Sequence, residues 1–135
     1  MYEPTGTPLT HSTGRRRQDM GRTRIDVTIE EGVHVIKFKD KKILDEATIQ
    51  AIATELYSVV EEDGAKKVVI SFKGNECYAP AALGILISMD IRVKAAKGKL
   101  RMCELPDNVI QLFGMIKLNE LVDCYDTLAE ALKDF

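Results

Sequence analysis

Hydrophobic and polar residues alternate along this chain with two different periods. From Ile25 to Glu30 every second residue is apolar, which is the period of a strand with one buried face. A second strand is predicted from Val33 to Phe38, and the short Glu31-Gly32 turn between the two favours a hairpin. Apolar runs predict three further strands at 67–72, 99–104 and 121–125.

Apolar residues at helical spacing fill the intervals between these strands. The first helix is predicted to begin after Asp45, an N-cap candidate, and to end near Gly64, which suits a left-handed C-cap. The second is predicted from Pro80 to Lys97, and the third begins at Pro106. Thr127-Leu128-Ala129-Glu130 has the spacing of a capping box and opens the last helix.

The resulting element order is β-β-α-β-α-β-α-(β)-α, which predicts the α/β class. Strands that alternate with helices imply a parallel portion of the sheet, and the initial hairpin makes it a mixed β-sheet with helices packed on it. One domain is predicted over residues 24–135. Residues 1–23 are rich in Gly, Thr, Ser, Pro and Arg and lack an apolar period, so a disordered basic tail is expected there.

The segment from Val68 to Gly84 is a strand–loop–helix unit, and such units usually present functional groups in the loop. Here the loop reads Ala79-Pro80-Ala81-Ala82 and has no acid, base, nucleophile or metal ligand. Ala79 stands where a Ser, Thr, Asp or Asn would normally cap the helix. Water, Asn75 or an anion is expected to accept the free N–H groups. The pattern favours a binding surface over a catalytic one.

The second helix carries two apolar stripes, although a helix that only covers a sheet needs one. Part of this arc, near Pro80, Leu83 and Ile87, is therefore predicted to face a protein partner. The alternative is that neighbouring helices cover it. The two stripes comprise Ala82, Leu86, Met89 and Val93, and Leu83, Ile87 and Ile91.

Charge and cysteine content limit the classes of function. Residues 1–24 carry five basic and two acidic residues, whereas the remainder is acidic, which is a poor match to nucleic acid. No run of about 18 apolar residues predicts a membrane span, and no apolar N-terminal stretch predicts a secretory signal. The three cysteines lack a CxxC pair, so reduced thiols, a cytoplasmic location and no metal or cofactor are expected.

An enzyme is the weakest of the alternatives. Cys77 lies in the loop and could react, but no His or cationic residue near it in sequence would lower its pKa. His34, between Val33 and Val35, is predicted to point to solvent, and His11 lies in the tail. No glycine-rich motif predicts a phosphate site.

Several short motifs in this order resemble the STAS domain, the fold of bacterial anti-sigma-factor antagonists. The resemblance spans about residues 24–135. The matching motifs are Leu44-Asp45, Ala82-Leu83-Gly84-Ile85-Leu86, Gly98-Lys99-Leu100, Pro106-Asp107-Asn108-Val109 and the terminal 126–132 segment.

The resemblance implies a regulatory, non-catalytic module that binds a protein partner. In that family the loop reads Asp-Ser-Ser-Gly-Leu-Gly, and an anti-sigma kinase phosphorylates the second serine to switch binding off. Here that position falls on Ala81, which has no hydroxyl, and the loop Asp position falls on Ala79. Asp45 matches the acid that sits near the loop. The usual switch is therefore expected to be missing.

The partner implied is an anti-sigma factor or GHKL-type serine kinase, bound by a monomer or weak dimer. The predicted contact residues are Asp45, Ala79, Pro80, Ala81, Ala82, Leu83 and Ile87. One alternative is a STAS subunit of an ABC-type lipid transport system, without membrane insertion of its own, and a less favoured one is an enzyme using Cys77.

Overall fold

A mixed six-stranded sheet organises the protein, as seen in a computed structural model that describes residues 15–17 and 22–135. The strands are β1 (Arg15–Arg17), β2 (Ile25–Glu30), β3 (Val33–Phe38), β4 (Lys42–Ile43), β5 (Lys67–Ser71), β6 (Cys77–Tyr78), β7 (Lys99–Cys103) and β8 (Asp123–Tyr125). The helices are α1 (Glu46–Glu61), α2 (Leu83–Ala95), α3 (Asp107–Met115) and α4 (Leu128–Leu132). Single 3-10 turns lie at Pro80–Ala82 and Leu118–Glu120.

The strand order in the sheet is β1-β2-β3-β5-β7-β8. The pairs β1–β2 and β2–β3 are antiparallel, whereas β3, β5, β7 and β8 run parallel. Strands β4 and β6 pair separately as a two-residue parallel ladder. The predicted mixed sheet and α/β class are confirmed, and the two-residue strands and β1 are additions to the predicted order.

The two faces of the sheet are covered unequally. Alternate residues of the strands, such as Val27, Ile36 and Met102, pack with α1, α2 and α3 into the large core. The other face has a small cluster in which Val35 and Val69 pack against α4. Most of the apolar burial, and therefore most of the hydrophobic stabilisation, lies on the first face.

A buried arginine holds the short helix α4 on the thin face. The guanidinium of Arg101 donates to the carbonyl oxygens of Ala131 at 3.0 Å, Lys133 at 2.7 Å and Asp134 at 3.1 Å. It also lies over the ring of Phe135, 4.3 Å from the centroid. These contacts satisfy carbonyls at the end of a helix too short to be stable alone.

Local signals that predicted the long helices are present as expected. Asp45 accepts a hydrogen bond from the Thr48 N–H at 2.9 Å, and Gly64 adopts φ +69° after α1. The predicted second helix divides into the 3-10 turn and α2, and the left-handed residue that ends it is Lys97 (φ 62°). Gly98 is required next, because a Cβ there would overlap the Lys66 carbonyl.

Several residues before the predicted domain boundary at residue 24 contact the folded domain. The Arg15–Arg17 segment pairs with β2, and the buried Arg22 donates to Asp63 at 3.0 Å. The carboxylate of Glu55 accepts from the backbone N–H groups of residues 23–25. Polar contacts to α1 therefore anchor residues 22–25. Such contacts leave no apolar period in the sequence from which they could be predicted. The rest of the predicted tail, 1–14 and 18–21, lies outside the described residues.

Candidate functional site

Two short backbone connections assemble the corner between β5 and α2. The Glu76 N–H donates to the Lys41 carbonyl at 2.7 Å, and the Ala79 N–H donates to the Ile43 carbonyl at 2.9 Å. These bonds flank the β4–β6 ladder on both sides. They hold the start of α1 beside the start of α2, so Asp45 and the Ala79–Ala81 loop belong to one surface.

The chain leaves β5 through a tight turn that is tied to the same ladder. Gly74 adopts φ +91°, and the Asn75 N–H bonds the Phe72 carbonyl at 3.0 Å. The side-chain amide of Asn75 donates to the Asp40 carbonyl at 2.8 Å. Asn75 therefore fixes the two loops together and does not cap α2, which was one of the predicted partners for its free N–H groups.

The described residues around the start of α2 provide no side-chain cap for it. Ala79 is extended (φ −70°, ψ 144°), and the Ala82 N–H bonds its carbonyl at 2.9 Å. Pro80 has no N–H to satisfy. Pro80 and Ala81 are exposed and Ala79 is half-buried. The missing side-chain cap at the start of α2 agrees with the prediction from the sequence.

The predicted partner surface needs correction at two positions. Ala82 is 0% exposed and Leu83 is 2% exposed, so both belong to the core and cannot contact a partner in this conformation. The reason is the rotation of α2 about its own axis. It directs the first residue of each predicted stripe, Ala82 and Leu83, toward the core. Leu83 belongs to the large core cluster and is not part of an exposed apolar face.

The outward face of α2 follows a different line. It runs from Pro80 through Gly84 and Ile87 to Ile91, a spacing of i, i+4, i+7 and i+11. Ile87 is half-buried and Ile91 is 61% exposed. The exposed apolar surface of α2 therefore lies on this line.

Leu44 extends the surface on the α1 side. Its side chain is 51% exposed beside the exposed Asp45. We define the corner surface as Leu44, Asp45, Ala79, Pro80 and Ala81. Sequence reasoning used Leu44 only as half of a motif, although an exposed leucine next to a cap could have been recognised as a contact residue.

Asp45 already has a structural task at this surface. The hydrogen bonds from Thr48 lower the pKa of Asp45, chiefly the bond from the backbone N–H. The carboxylate is therefore ionised at neutral pH. It adds negative charge to a surface that is otherwise apolar.

Neither described thiol is an activated nucleophile. Burial raises the pKa of Cys103 to about 12 and that of the partly buried Cys124 thiol to about 11. Both are free and protonated at neutral pH. The side chain of Cys77 lies outside the described part of the chain. Among the described residues no His/Cys/Asp/Glu cluster could hold a metal ion.

His34 is placed differently from its prediction. It is half-buried, and its Nδ1 atom is buried and has no hydrogen-bond partner among the described residues. Burial lowers the pKa of His34, although the neighbouring Asp63 acts in the opposite direction. His34 lies opposite Val68 near the start of β5, whereas the corner surface follows the end of that strand, so His34 is not part of it.

Of the hydroxyl groups near the loop, that of Ser71 is inaccessible. Ser71 is buried and donates to the Glu104 carboxylate at 2.6 Å, and Ser88 is half-buried on α2. The side chain of Tyr78 is outside the described residues. Ser71 is therefore sequestered from a kinase in this conformation.

The family model described as the STAS domain matches residues 24–131. The chain belongs to the STAS domain family. A comparison with curated proteins finds no match. Within the described ranges, no helix of this STAS protein combines the length and apolar character needed to cross a membrane.

Solved structures show the same fold. A Planctomyces limnophilus anti-sigma-factor antagonist (STAS) domain protein is 25% identical, with a TM-score of 0.70 over 80% of this chain and 94% of that one. A Thermotoga maritima protein assigned as an anti-sigma factor antagonist is 16% identical, with a TM-score of 0.71 over 82% and 92%. The Bacillus cell-fate determinant SpoIIAA, in its phosphorylated form, is 13% identical, with a TM-score of 0.63 over 80% and 96%.

Proposed function

We propose that this STAS protein is a non-catalytic regulatory module of the anti-sigma-factor-antagonist type, located in the cytoplasm, which binds a protein partner through the corner surface. The partner class is an anti-sigma factor of the GHKL serine-kinase type. Binding is not switched by phosphorylation at the usual loop position, because that position is Ala81.

One observation carries the proposal: the methyl group of Ala81 is exposed at the start of α2. In the resembling family a phosphorylatable serine occupies this position. A phosphate would add a charge of about −1.5 to −2 beside the ionised Asp45. Alanine cannot be phosphorylated, so the net charge of the corner surface does not change in this way.

Contacts beneath the corner surface support the proposal, because they hold the loop in one position. The backbone bonds to Lys41 and Ile43 and the buried Leu83 fix the loop without using the exposed side chains. Small exposed residues at a fixed helix start allow a partner backbone to approach closely. Such preorganisation lowers the cost of binding.

The test combines binding with phosphate transfer. The purified protein is mixed with each GHKL-type kinase encoded by the source genome, with ATP. Complex formation is measured by calorimetry and phosphate uptake by mass spectrometry. The expected result is a stable complex with one kinase and an unmodified antagonist chain.

Two results would overturn the proposal. One is stoichiometric phosphorylation of this chain that also releases the kinase, since a switch would then exist elsewhere. The other is the absence of any complex with these kinases together with co-purification of an ABC-type ATPase, which would favour the lipid-transport alternative.

A further inference from the structure

A cavity of about 210 Å³ lies at the carboxyl ends of β7 and β8, beside α3, and none of the corner-surface residues lines it. The β7–β8 pair is parallel in this protein, so the carboxyl ends of the two strands meet at this edge of the sheet. The cavity therefore lies where the residues that follow both strands come together.

The inner wall of the cavity is apolar. Phe113 is almost fully buried, and its ring meets that of Phe72 edge-on, with centroids 6.1 Å apart. Leu105 and Ile110 complete this wall, with Ile110 exposed at the rim. Because an apolar cavity of about 150 Å³ can hold benzene, this one has room for a ring with a short chain.

The charged groups that line the cavity are both acidic. Glu104 and Asp126 contribute carboxylates and Asn119 an amide, and no Lys, Arg or His lines it. Within the described ranges neither carboxylate forms an ion pair, in contrast to Asp63 and Asp90. The cavity therefore combines an apolar wall with two carboxylates.

Glu104 is held in place by the fold. Its Oε1 atom accepts a hydrogen bond from the Ser71 hydroxyl at 2.6 Å, and its N–H bonds the Tyr125 carbonyl at 3.2 Å. The residue has φ 59°, a conformation that is uncommon for a non-glycine residue and often marks a functional site. The Ser71 bond orients the carboxylate and uses one oxygen, which leaves Oε2 for a ligand.

We propose that this cavity binds a small primary amine in its protonated form, with an aromatic or compact apolar body no larger than a phenylethyl group. The apolar body packs against Phe113, Leu105 and Ile110. The ammonium group lies between Glu104 and Asp126. A charge-assisted hydrogen bond to a carboxylate is stronger than a neutral one, so the charge supplies most of the selectivity.

The test is an NMR titration of the full ¹⁵N-labelled chain at pH 7 with phenethylamine, 2-phenylethanol and phenylacetate. These probes share a ring and chain and differ in charge. Saturable shifts are expected in residues 104–105, 110–113 and 124–126. Phenethylamine should bind about tenfold more tightly than the alcohol, and phenylacetate should not bind.

Variants separate this site from general surface attraction. Glu104→Gln and Asp126→Asn should each weaken amine binding by about tenfold and leave alcohol binding unchanged. Glu62→Gln, which removes an exposed carboxylate at the end of α1, is the matched control and should change neither. If Glu104→Gln disturbs the fold through Ser71, Asp126→Asn still decides.

Three results would overturn the proposal. These are shifts that do not saturate, equal affinity for the amine and the alcohol, and an Asp126→Asn variant that binds the amine as the wild type does.

Discussion

The starts of α1 and α2 lie side by side at the corner surface and are built differently. The Asp45 carboxylate caps the start of α1 by accepting a hydrogen bond from the Thr48 N–H. Ala79 offers no such bond to α2, whose start is held by the Ala79–Ile43 backbone bond and by the buried Leu83. The start of α1 is stabilised by a polar side chain on the surface. The start of α2 is stabilised by a backbone hydrogen bond and by a buried leucine side chain. The second arrangement leaves exposed atoms free for a partner.

The largest expected effect comes from removing the support beneath α2. Leu83→Ala should lower the free energy of unfolding by about 2–5 kcal/mol, since it deletes buried methyl groups and leaves a cavity. Ile87→Ala is the matched control on the same helix and should cost less, because Ile87 is only half-buried. Urea unfolding monitored by circular dichroism measures both. Equal costs would show that Leu83 does not anchor the corner.

A smaller effect is expected from giving α2 the cap that α1 has. Ala79→Asp places an acceptor beside the free N–H groups, so it should raise the free energy of unfolding by up to about 1 kcal/mol. Thermal and urea unfolding against the wild type measure the gain. A loss of stability would mean that water or backbone already satisfies these groups better than a carboxylate can.

The smallest effect is a pH dependence confined to the capped start. The folded pKa of Asp45 is lowered from 3.8 by the Thr48 hydrogen bonds. A lowered carboxyl pKa stabilises the fold above the unfolded value, and this contribution is lost as the pH falls through the folded value. The Thr48 amide resonance should therefore titrate below pH 3.8. The Ala81 amide should show no such titration.

Asp45→Asn provides the control for that titration, because it keeps an acceptor without the charge. In this variant the acid transition of Thr48 should disappear. If it persists, another carboxylate is responsible for it.

Sequence reasoning succeeded where the signal is local. Asp45 and Gly64 predict the ends of α1 from their own chemistry, and the alternation from Ile25 to Glu30 predicts β2. The alternation of strands and helices, together with the initial hairpin, then predicts the mixed sheet. These features depend on neighbours in the chain, which a single sequence contains.

Sequence reasoning failed for features that depend on tertiary packing. The rotation of α2, which buries Leu83 and exposes the line to Ile91, depends on how the helix lies on the sheet. Strands of two residues, such as β4, are too short for a periodic signal. Glu104 directly follows β7 and Asp126 directly follows β8, and these two strands are separated in sequence by α3. Their proximity could have been predicted only from the adjacency of parallel strands.

The central claim is that exposed atoms at the start of α2 contact the partner. The most direct test is calorimetric binding to Ala81→Glu and to Ala129→Glu of the kinase that forms a complex with the wild type. Ala129 is the control because it is also an exposed alanine and lies on α4, across the sheet. A buried unpaired charge at position 81 should weaken binding by about tenfold or more, with unchanged affinity for Ala129→Glu. Equal affinities of the two variants would contradict the account.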